Sequence, residues 1–204
     1  LKGRSSATDT LIESGNVNFV LTSTKLTGLG TDALSSIEKA QLTGGVSNNT
    51  LDTVNFNGSV ILFGQEGNDN LKSGSEVDQL FGGDGNDTLT GGAGNDTLTG
   101  GTGSDFFRFN FSTERVDRIT DFNIIDDTIL ISRSGFGSGL VAGTLLPTQL
   151  RIGSSATTSA HRFIYNSSSG GLFFDVDGSG ATAAVQIATL NTGLALTNAD
   201  IGVI

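Results

Sequence analysis

From residue 64 to residue 108 the hydrophobic pattern keeps a nine-residue beat. A large apolar residue returns at Leu71, Leu80, Leu89, Leu98 and Phe107, and Leu62 adds one more nine positions upstream. An aspartate stands two positions before each: Asp69, Asp78, Asp87, Asp96 and Asp105. The five units read GQEGNDNLK (64–72), SGSEVDQLF (73–81), GGDGNDTLT (82–90), GGAGNDTLT (91–99) and GGTGSDFFR (100–108). A flexible Gly/Asp linker needs no phase, whereas here Asp and the apolar residue hold register over five units. The last three residues of each unit predict a short strand and the first six a turn. Two units then make one coil of eighteen residues. Leu62, Leu80 and Leu98 fall on one inner wall and Leu71, Leu89 and Phe107 on the other, in parallel strands ~4.8 Å apart.

The flanks keep a β style without the beat. Apolar residues and threonines alternate in NFVLTST (18–24), IEKAQLT (37–43), TLDTVNF (50–56) and SVILF (59–63), with Gly and Asn between them. They predict β-helix coils without metal that stack directly onto the repeats; a separate small sandwich is the alternative. Downstream, Phe106–Phe111, Arg118–Phe122 and Thr128–Ser132 read as strands. Residues 133–150 read as a Gly-rich loop. A meander follows over His161–Tyr165, Leu172–Val176 and Ala184–Leu190, with a short helix or turn near Thr197–Asp200 before Ile201–Ile204. The expected fold is all-β, a right-handed parallel β-helix or β-roll followed by a β-rich cap. Its expected parts are metal-free coils at 1–63, the roll at 64–108 and the capping region at 109–204.

Charge changes the picture. The 204 residues carry 21 acids against 11 Lys and Arg, a net charge of −10. Basic residues are too few and too scattered to suit nucleic acid or an anionic membrane. No run approaches the ~18 apolar residues of a membrane helix. There is no Cys, which excludes disulfides and thiolate metal sites. The absence of an initiator Met and of a basic-then-apolar leader leads to the expectation of an excised or processed part of a longer protein. Twelve of the 30 glycines fall within residues 64–105.

Stacked on an eighteen-residue coil, Asp69, Asp87 and Asp105 share one edge and Asp78 and Asp96 the other. Carboxylates that close repel one another. Calcium takes six to eight oxygens at ~2.3–2.6 Å, and an ion wedged between turns accepts carboxylate and carbonyl oxygens from both. Glycine suits such turns because it allows φ > 0. The candidate metal-site residues are Gly64, Glu66, Gly67, Asp69, Asp78, Gly82, Gly83, Asp84, Gly85, Asp87, Gly91, Gly92, Ala93, Gly94, Asp96, Gly100, Gly101, Thr102, Gly103 and Asp105, with Glu114, Asp117 and Asp121 beyond the last unit. Counting gaps gives sites at Asp69/Asp87, Asp87/Asp105 and Asp78/Asp96, and about three to five calcium ions in all. Glu114 continues the nine-residue phase from Asp105. Residues 64–105 hold eight acids against Lys72 alone, which leads to the expectation that this segment is disordered until calcium binds.

These units resemble the repeats-in-toxin (RTX) nonapeptide G-G-x-G-x-D-x-U-x, which binds calcium as a β-roll. Three downstream segments resemble the region after the repeats in serralysin-type proteases and in cyanobacterial RTX proteins. They are Asp105-Phe106-Phe107-Arg108-Phe109, Asp117-Arg118-Ile119-Thr120-Asp121-Phe122 and Phe173-Phe174-Asp175-Val176-Asp177-Gly178, and the end, Asp200-Ile201-Gly202-Val203-Ile204, is similar to that family's acidic-then-aliphatic terminus. The resemblance implies a bacterial module, secreted or at the cell surface. It also implies an uncleaved C-terminal signal read by type I secretion machinery, and folding on calcium after export from the cell.

Enzyme chemistry finds little footing. There is no H-E-x-x-H and no G-x-S-x-G. His161 is the one histidine and reads as a surface residue. Asp175–Gly180 has an EF-hand-like start, but Gln186 stands at the twelfth position, so a hairpin turn is expected there. The expectation is a non-enzymatic module; the alternative is a self-associating surface or matrix protein. Phe63 and Phe81 are expected to stack outside one wall, covered by the C-terminal meander or by a partner chain.

Overall fold

The computed structural model describes residues 8–137 and 139–204; the first seven residues of the N-terminal segment lie outside that description. Two ten-stranded sheets face each other as the walls of a flattened coil. In the first wall, Thr10–Ser14, Lys39–Thr43, Ser59–Glu66, Gln79–Asp84, Thr97–Thr102 and Asp117–Ile119 pair in parallel. In the second, Phe19–Thr22, Thr50–Asn55, Asn70–Lys72, Thr88–Thr90, Phe106–Phe109, Thr128–Ile131 and Ile201–Val203 do the same. The architecture is a parallel β-roll that begins well before the nonapeptides and runs beyond them.

Register places the apolar beat inside. Leu62 pairs with Leu80 and Leu80 with Leu98; Leu71 pairs with Leu89 and Leu89 with Phe107. All six side chains have 0 % exposure. Burying each supplies ~1.5–3 kcal/mol. The same ladders continue outward through Leu42 and Ile119 on one wall, and through Leu51 and Ile129 on the other. What changes is the length of the coil. The step is eighteen residues through the repeats, but Leu42 to Leu62 and Leu51 to Leu71 are steps of twenty. Leu98 to Ile119 is twenty-one and Phe107 to Ile129 twenty-two. The apolar rung is fixed by the wall, and the extra residues go into the turns.

The ends are closed differently. At one end Lys25–Thr27 and Thr31–Ala33 form an antiparallel extension of the second wall, which the alternation pattern had not marked. At the other, Val185–Thr189 pairs in parallel with Asp117–Ile119, and Gly171–Phe174 and Phe163–Asn166 add antiparallel strands. Residues 133–150, expected as loop, contain a one-turn helix, Arg133–Phe136. Its Phe136 packs edge-on against Phe174 (4.9 Å) and beside Phe163. Ile201–Val203 enters the second wall beside Thr128–Ile131, launched by a short 3-10 turn in which Thr197 and Asp200 form a reciprocal cap.

Phe63 and Phe81 stack on the outer face of the first wall, with centroids 5.0 Å apart and rings within 10° of parallel. The meander does not lie over them. It extends the same sheet edgewise, beyond Thr97–Thr102 and Asp117–Ile119, and both rings stay partly exposed. The reason is geometric: the open edge of Asp117–Ile119 offers backbone hydrogen bonds that the outer face does not.

Candidate metal site

Each turn edge carries a column of acids tied to one another through the backbone. On the first edge, the N–H of Asn49 donates to Asp69 Oδ1 (2.6 Å), that of Asp69 to Asp87 Oδ1 (2.7 Å), that of Asp87 to Asp105 Oδ1 (2.8 Å) and that of Asp105 to Asp127 Oδ1 (3.0 Å). On the second, Val60 donates to Asp78 (2.8 Å), Asp78 to Asp96 (2.9 Å) and Asp96 to Asp117 (3.1 Å). One oxygen of each carboxylate therefore locks adjacent coils together. The other oxygen is left over: Oδ2 of Asp69, Asp78, Asp87, Asp96 and Asp105 is buried without a hydrogen-bond partner. A buried carboxylate oxygen with no donor is costly unless a cation meets it.

The first glycine of the units lies against these leftover oxygens. A Cβ built on Gly64 would lie against Asp69 Oδ2 and the Gly82 carbonyl; one on Gly82 would lie against Asp87 Oδ2 and the Gly100 carbonyl. At Gly100 it would meet Asp105 Oδ2, and at Gly91 the Oδ2 atoms of both Asp96 and Asp117. These oxygens close in on a bare Cα too tightly for a side-chain carbon, and they are the hard donors that calcium takes at ~2.3–2.6 Å when it lies between turns. The side chain that glycine lacks leaves an oxygen-lined slot once per coil. Among the described residues no group of three or more His, Cys, Asp or Glu gathers as a conventional metal cluster. The Gly64 and Gly82 slots instead join one carboxylate to a backbone carbonyl, and the Gly91 slot borders two carboxylates, donor sets that suit a hard cation.

The second and fourth glycines of the units serve a different end. Gly83 (φ 115°) and Gly85 (φ 131°) have left-handed backbones, and a Cβ on either would strike the carbonyl of Gln65 or Gly67 one coil away. Gly67, Gly92, Gly94, Gly101 and Gly103 share the positive φ. Glu66, Asp84, Ala93 and Thr102 are exposed, and the Thr102 hydroxyl donates to Asp84 Oδ1 (2.9 Å). Asp121 accepts the N–H groups of Gly100 (3.0 Å) and Gly101 (2.9 Å), fastening the last repeat turn.

The nine-residue phase would bring Glu114 into a column, but the structure puts Asp117 there. Glu114 is buried beside it, with its carboxylate accepting the Asn110 N–H (3.0 Å). Asp127, absent from the sequence reading, completes the first column. A signal for it was present: the Asp-x-apolar triplet persists as Asp117-Arg118-Ile119 and Asp127-Thr128-Ile129. Upstream, Gly44-Gly45-Val46-Ser47-Asn48-Asn49-Thr50-Leu51-Asp52 is a degenerate unit with Asn49 in the aspartate place. The Gly44 slot accordingly faces the Asn49 amide oxygen and the Gly64 carbonyl. His161 Nδ1 accepts the N–H groups of Thr157 (3.1 Å) and Thr158 (3.3 Å) and so organises a turn. Asp175 Oδ1 likewise accepts Gly178 N–H (2.8 Å) within the connection between two antiparallel strands.

Burial raises these carboxyls, and neighbouring acids add to the effect for most of them. Asp78 and Asp105 are pushed up to about 6, Asp87 and Asp96 to about 7, and Asp117 to about 8; Asp69, Asp127 and Glu114 are also raised by burial. The folded pKa thus exceeds the unfolded one. Below the unfolded value of ~3.9 the proton-linked stability of the metal-free fold is fully present, and it is lost as pH rises through 6–8. Calcium has to displace those protons. Its apparent affinity is expected to fall by about tenfold or more between pH 8 and pH 5.5, read by calcium titration under circular dichroism. A flat affinity would mean that the carboxylates are already ionised without the ion.

A parallel roll whose stacked turns pair a buried acid with a glycine-made slot is a calcium-binding β-roll. The family model of the RTX calcium-binding nonapeptide repeat, in four copies, matches residues 57–80 and 72–107, and this middle part of the chain carries RTX repeats. No curated protein matches the chain. Among solved structures, the AlgE6R3 subunit of the Azotobacter vinelandii mannuronan C5-epimerase is similar at 23 % identity, over 80 % of this chain and 77 % of that one, with a TM-score of 0.38. The extracellular lipase LipA of Serratia marcescens is similar at 13 % identity, over 98 % of this chain and 33 % of that one, with a TM-score of 0.33. Among the described residues no helix is long and apolar enough to cross a membrane.

Proposed function

We propose that this chain is a calcium-binding roll that sets into its fold after export and carries, at its C-terminal end, the type I secretion signal of a larger extracellular protein. The observation that carries the calcium reading is the slot at Gly64 and Gly82, where a leftover aspartate oxygen and the next coil's carbonyl converge on one point. On the first edge Asp69, Asp87, Asp105 and Asp127 would supply the carboxylates, with carbonyls of the glycine turns completing each shell. The bound ion would neutralise the column and bridge successive coils. About three to five ions would fill the roll. The export reading is supported by the resemblance of residues 105–122, 173–178 and 200–204 to the tails of type I secreted proteins.

A second reading, self-association through the outer wall, is supported by the partly exposed Phe63–Phe81 stack. Calorimetric titration of calcium into the chelator-treated chain tests the first reading. It is expected to give about three to five sites with Kd of roughly 10⁻⁴–10⁻³ M. Absence of binding at about 10 mM, ten times the weaker limit of that range, would dismiss it.

A further inference from the structure

The two edges are not equivalent, and the difference lies in one residue. Ser73 occupies in the second unit the first-glycine place held by Gly64, Gly82, Gly91 and Gly100. It follows Lys72, which pairs with Thr90, so Ser73 is in register with Gly91. It is 2 % exposed, and its hydroxyl donates to the Gly91 carbonyl at 2.7 Å. Of the five repeat aspartates, Asp78 alone has two further donors close by, this hydroxyl and the Gly74 N–H, although neither makes a well-formed hydrogen bond to its Oδ2. Next-coil carbonyl on one side and column aspartate on the other are the two groups that border the open slot at Gly64. Here a side chain stands in that space. One coil upstream, Thr53 is in register with Ser73 and is fully buried, and it makes the same kind of bond, hydroxyl to the Lys72 carbonyl (3.0 Å).

One coil downstream the place is glycine again. The Gly91 slot faces Asp96 Oδ2 and Asp117 Oδ2. Asp96 (1 % exposed) and Asp117 (2 %) are both buried there, and Asp96 Oδ2 has no hydrogen-bond partner.

We infer that Ser73 takes the place of a cation on the second edge. Its side chain closes the slot next to Asp78, and the calcium of this edge is held one coil further on, between Asp96 and Asp117. Asp117 lies outside the nonapeptides, so the roll's cation sites do not end where its repeats end. Hydroxyl-to-carbonyl bonds replace ion bridges toward the N-terminal coils, which explains how these stack without a column of acids. The inference rests on the calcium reading and deepens it.

Calcium bound per folded chain, measured by equilibrium dialysis with elemental analysis, tests it. S73G removes the Cβ and is expected to bind one ion more than the unaltered chain. S73A keeps the Cβ and is expected to leave the number unchanged. D78N is expected to leave it unchanged, while D117N loses one. An unchanged count in S73G, or a lost ion in D78N, would overturn the inference, and both variants keep the packing of Leu71 and Leu80 if D117N does not fold. An unaltered chain that bound no calcium would instead remove the reading on which the inference rests.

Discussion

Chelating calcium at pH 8 is expected to unfold the coils from about residue 64 to residue 131, with loss of most of their β circular dichroism and recovery at roughly 10⁻⁴–10⁻³ M calcium. The reasoning is a comparison of magnitudes. Carboxylates one coil apart stand about 5 Å from each other, which at an effective dielectric of ~20 is a repulsion of on the order of 3 kcal/mol per pair. Each inward Leu returns only ~1.5–3 kcal/mol of burial, and twelve glycines must be ordered as well. Protonation can substitute for the ion at lower pH, because burial has raised these groups toward neutrality. At pH 8 most of that substitute is gone. A β signal in residues 64–131 that survives chelation at pH 8 would show that the apolar walls suffice alone.

Replacing Gly82 with alanine is expected to cost the roll a calcium ion while leaving its charge intact. Gly82 does not have a left-handed backbone, so alanine meets no φ strain there. Its methyl group would sit between Asp87 Oδ2 and the Gly100 carbonyl, in the middle of the first edge. Overpacking costs about 1–3 kcal/mol. Losing one ion held at a hundredfold excess over its Kd removes a further ~2.7 kcal/mol. The expected outcome is one calcium fewer per chain and a higher calcium midpoint for folding. A G82A chain with an unchanged calcium count would place the ion elsewhere than in the glycine slot.

Much of this is legible in the sequence alone. The inner walls follow from the nine-residue beat, because an apolar residue that returns once per half-coil has nowhere to go but inside. The extension of the coils toward the N-terminus is written in the alternation of 37–43, 50–56 and 59–63. The candidate site was legible only where the coil is eighteen residues long. Asp127 was missed, and Glu114 favoured, because the step lengthens to twenty-one and twenty-two after Leu98 and Phe107, and a fixed phase drifts off the column. Asn49 was missed because its unit lacks the aspartate that announces the others. The placing of the meander over Phe63 and Phe81 failed for another reason. A covering surface depends on which strand edge is left open, and that is settled only when Asp117–Ile119 takes its place in the sheet.

The sequence by itself determined the roll, its two walls and the residue type at each turn, since all three are periodic and each period reports a local geometry. Only the tertiary structure decided which acids share a column past the repeats, which oxygen of each carboxylate is already bonded and which slot a serine fills. Those depend on loop lengths and on contacts between residues about twenty positions apart, where one inserted residue changes the partner without disturbing the pattern.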